Sequence, residues 1–300
     1  MATPRIAAFV MAGGEGTRLR PLTEQMPKPA LPFAGRCRII DFALANLQQS
    51  GAAPIFVLLQ YKPQVLLDHL QRHWPAAVPL LPAQAYRGTA DAVRQNLGRL
   101  EGLGVDLVAV FAADHVYRMD VRQMAEFHLA RGADVTIAAL RVPIGYACEF
   151  GVLVTDADGR VVGFQEKPAH PAPLPGDPGS ALVSMGNYLF APAVLKRSLR
   201  EAALCGEHDF GCHVLPRLVH EGRVYAYDFR LNTVPGTRPT EESGYWRDVG
   251  TVGAYRDAEA DARGPRPRFA LDNPEWPVAP TLAPERPECG GAERRQGAWA

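Results

Sequence analysis

An apolar run, Ile6 to Ala12, empties into Gly13-Gly14-Glu15-Gly16-Thr17-Arg18-Leu19. A short, continuously apolar segment suits a strand buried on both faces of a sheet. Glycines directly after it let the backbone take positive φ and come close to a ligand. Consecutive N–H groups in such a loop form an anion-binding nest, and the fork of Arg18 matches phosphate oxygens. Lys28, mounted stiffly in Pro27-Lys28-Pro29, adds a second cation. The loop is not a Walker A motif, because no Gly-Lys-Ser/Thr follows, and its G-G-x-G spacing is not the dinucleotide fingerprint. An ordinary strand–helix turn can also carry G-G-x-G. The Thr-Arg-Leu continuation and the fixed lysine favour phosphate binding.

The runs PIFVLLQ (54–60) and DLVAVFAAD (106–114) repeat the buried-strand pattern. Between them, residues 38–50 have helical spacing and meet Gly51, a suitable helix-terminating glycine. Residues 63–72 and 89–100 also read as helices, starting at Pro63 and Thr89. This alternation predicts an α/β fold: a Rossmann-like, mostly parallel mixed sheet flanked by helices. After residue 133 strands dominate: ADVTIAALRV, GVLVT, RVVGFQEK, ALVSMGNYLF and RVYAYDF, with a turn at DADGR (156–160) and a proline-rich loop over 168–180. Helices are expected at 192–203 and 209–220, and YWRDVGTVGAYRDA passes from strand into helix. We expect one domain over residues 1–263 and an extended Pro/Arg-rich tail over 264–300.

Charge narrows the function classes. Lys+Arg and Asp+Glu are both 32, a formal net charge of 0, so no bulk basic field points to nucleic acid or a membrane surface. No apolar run approaches the roughly 18 residues a spanning helix needs, and Ile6–Ala12 is short for a signal segment. A cytoplasmic protein is expected. Cys37, Cys148, Cys205, Cys212 and Cys289 form no C-x-x-C, so free thiols are expected rather than a zinc site or a disulfide framework.

GGEGTRLRPLTEQMPKP resembles the signature of the sugar nucleotidyltransferases, roughly G-G-x-G-T-R-L-x-P-L-T-x-x-x-x-K-P. Arg38-Ile39-Ile40-Asp41-Phe42-Ala43-Leu44-Ala45-Asn46, Tyr86-Arg87-Gly88-Thr89-Ala90-Asp91-Ala92-Val93 and Tyr245-Trp246-Arg247-Asp248-Val249-Gly250-Thr251 are similar to segments of one branch, the bacterial glucose-1-phosphate adenylyltransferases. The resemblance runs in order from about residue 6 to about residue 278. It implies transfer of an adenylyl group from ATP to α-D-glucose 1-phosphate, giving ADP-glucose and pyrophosphate for glycogen (α-glucan) biosynthesis. It implies Mg²⁺, which takes hard oxygen ligands and keeps substrate phosphates in its shell.

The site residues follow by resemblance. Arg18, Lys28 and Asp114 are the catalytic candidates. Asp114 ends the run 106–114, where α/β sheets place their sites, although an Asp there could equally cap a turn. Asp114 and Asp248 are the metal candidates, with Ala113 standing where the family has glycine. Gly13, Gly14, Gly16, Thr17, Gln84, Gly88 and Thr89 are expected at the nucleotide, Gln84 because an amide can read a base edge. Tyr86, Gly151, Glu166, Lys167 and Ser184 are expected at the sugar phosphate. Asp209 is read as a helix start; His213 stands where the family has Asp, and the loop before Tyr86 is short. The family continues into a β-helix of hexapeptide repeats, which this sequence does not contain, so the tail is read as a remnant of that linker. Homo-oligomerisation stays open. So do a uridylyl- or thymidylyltransferase and a non-catalytic partner subunit.

Overall fold

The computed structural model describes residues 3–278. β1 (Ile6–Met11) lies inside the main sheet and feeds two cores: Ile6, Ala8 and Val10 pack on one side, Ala7 and Phe9 on the other. A continuously apolar strand demands this, because successive Cβ atoms point to opposite faces. A short ribbon of β2 (Pro32–Phe33) and β3 (Cys37–Arg38) leads into α1 (Ile39–Gln49). The Arg38 N–H donates to the Asp41 carboxylate at 2.7 Å, and α1 stops before Gly51, whose φ is +77°. Next come β4 (Ile55–Leu58), α2 (Gln64–His73), β5 (Ala77–Leu80), α3 (Thr89–Gln95) and β6 (Leu107–Ala112). Their strands set the parallel order β5–β4–β1–β6.

β7 (His115–Tyr117) leaves the main sheet, and α4 (Val121–Ala130) returns the chain to β8 (Val135–Pro143), β9 (Gly151–Thr155), β10 (Val161–Glu166) and β11 (Ser180–Phe190). β11 runs antiparallel to β6, β8 and β9, with a register shift between Ser184 and Tyr188. After α5 (Pro192–Leu204), a π-helical turn at Phe210–Val214 and α6 (Leu215–Glu221), β12 (Val224–Asp228) joins β8 in parallel. β13 (Trp246–Asp248) pairs antiparallel with β7, and α7 (Val252–Asp261) follows. Among the described residues the main sheet has nine strands, and only β10 and β11 run against the rest. The expected α/β, mostly parallel mixed sheet is therefore present, with a buried core on each face.

Some elements escaped the sequence reading. β5 carries Pro79 and lies at the sheet edge, where a missing N–H is tolerated. α4 starts at Asp120, whose carboxylate accepts the Arg122 N–H, and buries Val121, Met124, Ala125 and His128, a helical spacing. The 89–100 stretch divides into α3 and a 3₁₀ turn at Leu97–Leu100. Beyond α7, residues 264–278 lie along the body and bury Phe269, Ala270, Trp276 and Val278. The rest of the tail expectation, and Cys289, lie outside the described residues. No helix among the described residues is long and apolar enough to cross a membrane.

Candidate active site

A cavity of 480 Å³ opens beside the carboxyl ends of β1, β4 and β6, the position a parallel α/β sheet favours for ligands. Gly13, Gly14 and Gly16 form one part of its wall. Gly16 has φ +68°, and a Cβ there would stand 2.8 Å from Lys28 Cβ, so the loop closes against the lysine only without a side chain. The Thr23 hydroxyl donates to the Gly16 carbonyl at 2.8 Å and holds that turn.

The charge centre comes from distant segments. The β7–β13 ribbon pairs His115 with Asp248, which sets Asp248 beside Asp114. Lys28 Nζ bridges them, 3.0 Å from Asp114 Oδ2 and 2.6 Å from Asp248 Oδ1. Burial pushes the Lys28 pKa down, but the two carboxylates outweigh it and raise the value overall. Burial likewise pushes Asp114 up, while the Lys28 charge and hydrogen bond, with His115, hold it well below the usual carboxylate range. Asp114, His115 and Asp248 offer ligand atoms within 4.8 Å of one another. Two convergent carboxylates whose charge is met by an ammonium are the hard-oxygen donor set that suits Mg²⁺. Ala113 leaves this centre clear: its side chain is in the core, and the cavity is lined by its neighbours Ala112 and Asp114.

Glu166 and Lys167 line the cavity at the end of β10. Burial, with Asp209 adding to it, raises the Glu166 pKa against the pull of Lys167. The carboxylate fits between two glycines: a Cβ on Gly211 would stand 2.5 Å from Glu166 Oε2, and one on Gly151 3.2 Å. Asp209 starts a helical turn, as expected, by accepting the Cys212 N–H at 3.0 Å. It also accepts the Thr89 hydroxyl at 2.9 Å, and that hydroxyl accepts the Phe210 N–H at 3.0 Å. The His208 carbonyl takes the N–H groups of Ala90 and Asp91. The 88–91 and 208–210 segments are thereby clasped across the cavity.

Of the expected site residues, Gly13, Gly14, Gly16, Lys28, Tyr86, Gly88, Thr89, Asp114, Glu166 and Lys167 line this cavity, and Asp248 adjoins it through Lys28. The others stand apart from its wall. Arg18 is exposed and pairs with Glu149 at 2.5 Å. Thr17 and Gln84 are exposed. Gly151 lies behind Glu166, and buried Ser184 accepts the Gly186 N–H at 3.2 Å. The wall also includes Gln60, Tyr188, Asp209, Phe210 and Gly211, which the sequence reading did not assign. Gln60 could have been found, since it ends the apolar run 54–60 at its carboxyl side. Its amide brackets the Tyr86 backbone, accepting the N–H at 2.5 Å and donating to the carbonyl at 3.3 Å. Tyr188 depends on the β11 register shift and carries no local signal.

Residues 7–264 match the nucleotidyl transferase family. A glucose-1-phosphate adenylyltransferase of Thermodesulfovibrio yellowstonii is 47% identical over 92% of this chain and 71% of its own length. Proteins of the same name from Thermus thermophilus (45% identical, 93% of this chain, 72% of the relative) and Vibrio cholerae (44%, 91% and 70%) are similarly related.

Proposed function

Because the chain belongs to the nucleotidyl transferase family, we propose that it transfers the adenylyl group of ATP to α-D-glucose 1-phosphate, releasing pyrophosphate and ADP-glucose for α-glucan (glycogen) synthesis. The observation that carries this reading is one cavity with a glycine loop at one wall, Glu166-Lys167 at another, and Lys28 with Asp114 between them. The name these relatives share, glucose-1-phosphate adenylyltransferase, supplies the substrates.

A phosphate oxygen of the sugar phosphate attacks the α-phosphorus in line. The new P–O bond forms as the bond to the β-phosphate oxygen breaks, and its electron pair leaves with pyrophosphate. Little covalent work falls to the protein, so its residues position groups and neutralise charge. The backbone of Gly13 to Gly16 holds the triphosphate, with Arg18 brought over from Glu149. Glu166 accepts from sugar hydroxyls, and the Lys167 ammonium holds the sugar phosphate. Asp114 and Asp248 would hold Mg²⁺, which neutralises phosphate charge when bound.

The test is pyrophosphate release from glucose 1-phosphate and Mg²⁺ with ATP, UTP, dTTP, GTP or CTP. Release with ATP alone is expected. Release with UTP or dTTP in its place overturns the adenylyl assignment, and silence with all five from folded protein overturns the enzymatic one.

A further inference from the structure

Arg118 and Glu241 form an ion pair at 3.2 Å with side chains only 5% and 2% exposed. Such a pair adds little net stability, because desolvation offsets the attraction, so a geometric role is the better account. Both grip the backbone of one residue outside the cavity. The Ala270 N–H donates to Glu241 Oε2 at 2.8 Å, and Arg118 Nη2 donates to the Ala270 carbonyl. The guanidinium also stacks over the Phe269 ring at 4.6 Å.

The position of this grip matters. Arg118 directly follows β7, which begins one residue after Asp114, and Glu241 precedes β13, which ends at Asp248. Each strand of that ribbon has three residues, too few to hold a register alone. Two further ties reach the same ribbon. Asn46 Oδ1 accepts both Met119 N–H at 2.9 Å and Trp276 Nε1–H at 3.2 Å. Glu242 pairs with Arg247 at 2.8 Å and with Arg268 at 2.5 Å. Residues 268–276 do not line the cavity, yet they brace the ribbon that follows Asp114 and ends at Asp248.

We propose that Arg118 and Glu241, acting through residues 268–276, are positioning residues that set the separation of Asp114 and Asp248 for a divalent ion. The proposal rests on the metal-dependent transfer argued above. Mg²⁺ demands near-ideal oxygen geometry, so a loosened ribbon weakens ion binding before it disturbs substrate contacts.

The experiment measures Mn²⁺ binding to the full chain by electron paramagnetic resonance, without substrates, for wild type, Glu241→Gln and Trp276→Phe, which removes the indole N–H bond together with part of a buried ring. About a tenfold loss of Mn²⁺ affinity is expected, the lower end of what outer-shell partners of a metal site contribute. The kcat at limiting Mg²⁺ falls and recovers with excess Mg²⁺, while KM for ATP and glucose 1-phosphate stays. Leu199→Ala, a buried truncation in the opposite core, should lower Tm without moving Mn²⁺ affinity. If Glu241→Gln fails to fold, Arg268→Ala at an exposed guanidinium carries the same expectation. Unchanged Mn²⁺ affinity in the folded variants overturns the proposal with the metal reading intact. A wild type that neither binds Mn²⁺ nor needs a divalent ion overturns both.

Discussion

Lys28 Nζ is the cation on which the two carboxylates Asp114 and Asp248 converge. Lys28→Met leaves those carboxylates facing each other. Breaking a buried ion pair typically costs about 3–5 kcal/mol, and solvent at half-exposed Asp114 reduces this to roughly 2 kcal/mol. The pH dependence has a definite sign. The Asp114 carboxyl is held below its unfolded value of about 4, so its contribution is present above that pH and is lost as pH falls through the folded value. Lys28 is held above its unfolded value of about 10.4, so its contribution persists through neutral and acid pH. Urea unfolding of wild type and Lys28→Met should differ most near pH 7, and the gap should start to shrink only below about pH 4, closing as pH falls on through the depressed folded value of Asp114. A gap that keeps its neutral-pH size throughout the acid range would remove the ion pair as its cause.

Between elements, the clasp of α3 on the 208–210 turn joins the loop assigned to the nucleotide to the wall assigned to the sugar. Thr89 makes two of its bonds. Thr89→Val keeps the shape and leaves the Phe210 N–H and the Asp209 carboxylate each short of a partner, a loss of about 1–3 kcal/mol. Thermal unfolding should show it, with KM raised for both substrates; a rise for one substrate alone would place Thr89 at that substrate and not at the clasp. Gly88 shows why its side of the clasp fits so closely: its φ is extended, yet a Cβ would stand 2.5 Å from the His208 carbonyl oxygen. β1, β4 and β6 were legible as unbroken apolar runs, and the longer β8, β11 and α1 because an apolar pattern accumulates over their length. β7 and β13 were not recognised as a pair, since three residues carry no usable period and their partnership spans more than a hundred positions.

Across the whole molecule, the cavity wall draws on strands from both halves of the main sheet, so substrates that fill it join both halves. α,β-Methylene-ATP, which cannot release pyrophosphate, and glucose 1-phosphate together with Mg²⁺ should raise Tm beyond either ligand alone. At a hundredfold excess over Kd a single ligand stabilises by about 2.7 kcal/mol, which differential scanning would resolve. A shift with UTP that exceeds the shift with ATP would argue for a different base.

What the sequence determined by itself is local and repetitive: the strand entering Gly13-Gly14-Glu15-Gly16, the α/β alternation, and the residue types at Lys28, Asp114, Glu166, Lys167 and Asp248 that match a phosphate-transferring family. These were readable because short-range period, glycine conformational freedom and motif spacing act within a few residues. Only the tertiary structure decided that Lys28 bridges two carboxylates 134 positions apart (114 to 248), that Gln60 and Tyr188 line the cavity while Gln84 stays outside it, and that the backbone of Ala270 is gripped by Arg118 and Glu241. Those contacts are made by chain closure over long loops, whose outcome depends on how all the layers pack, and no stretch of sequence carries that information locally.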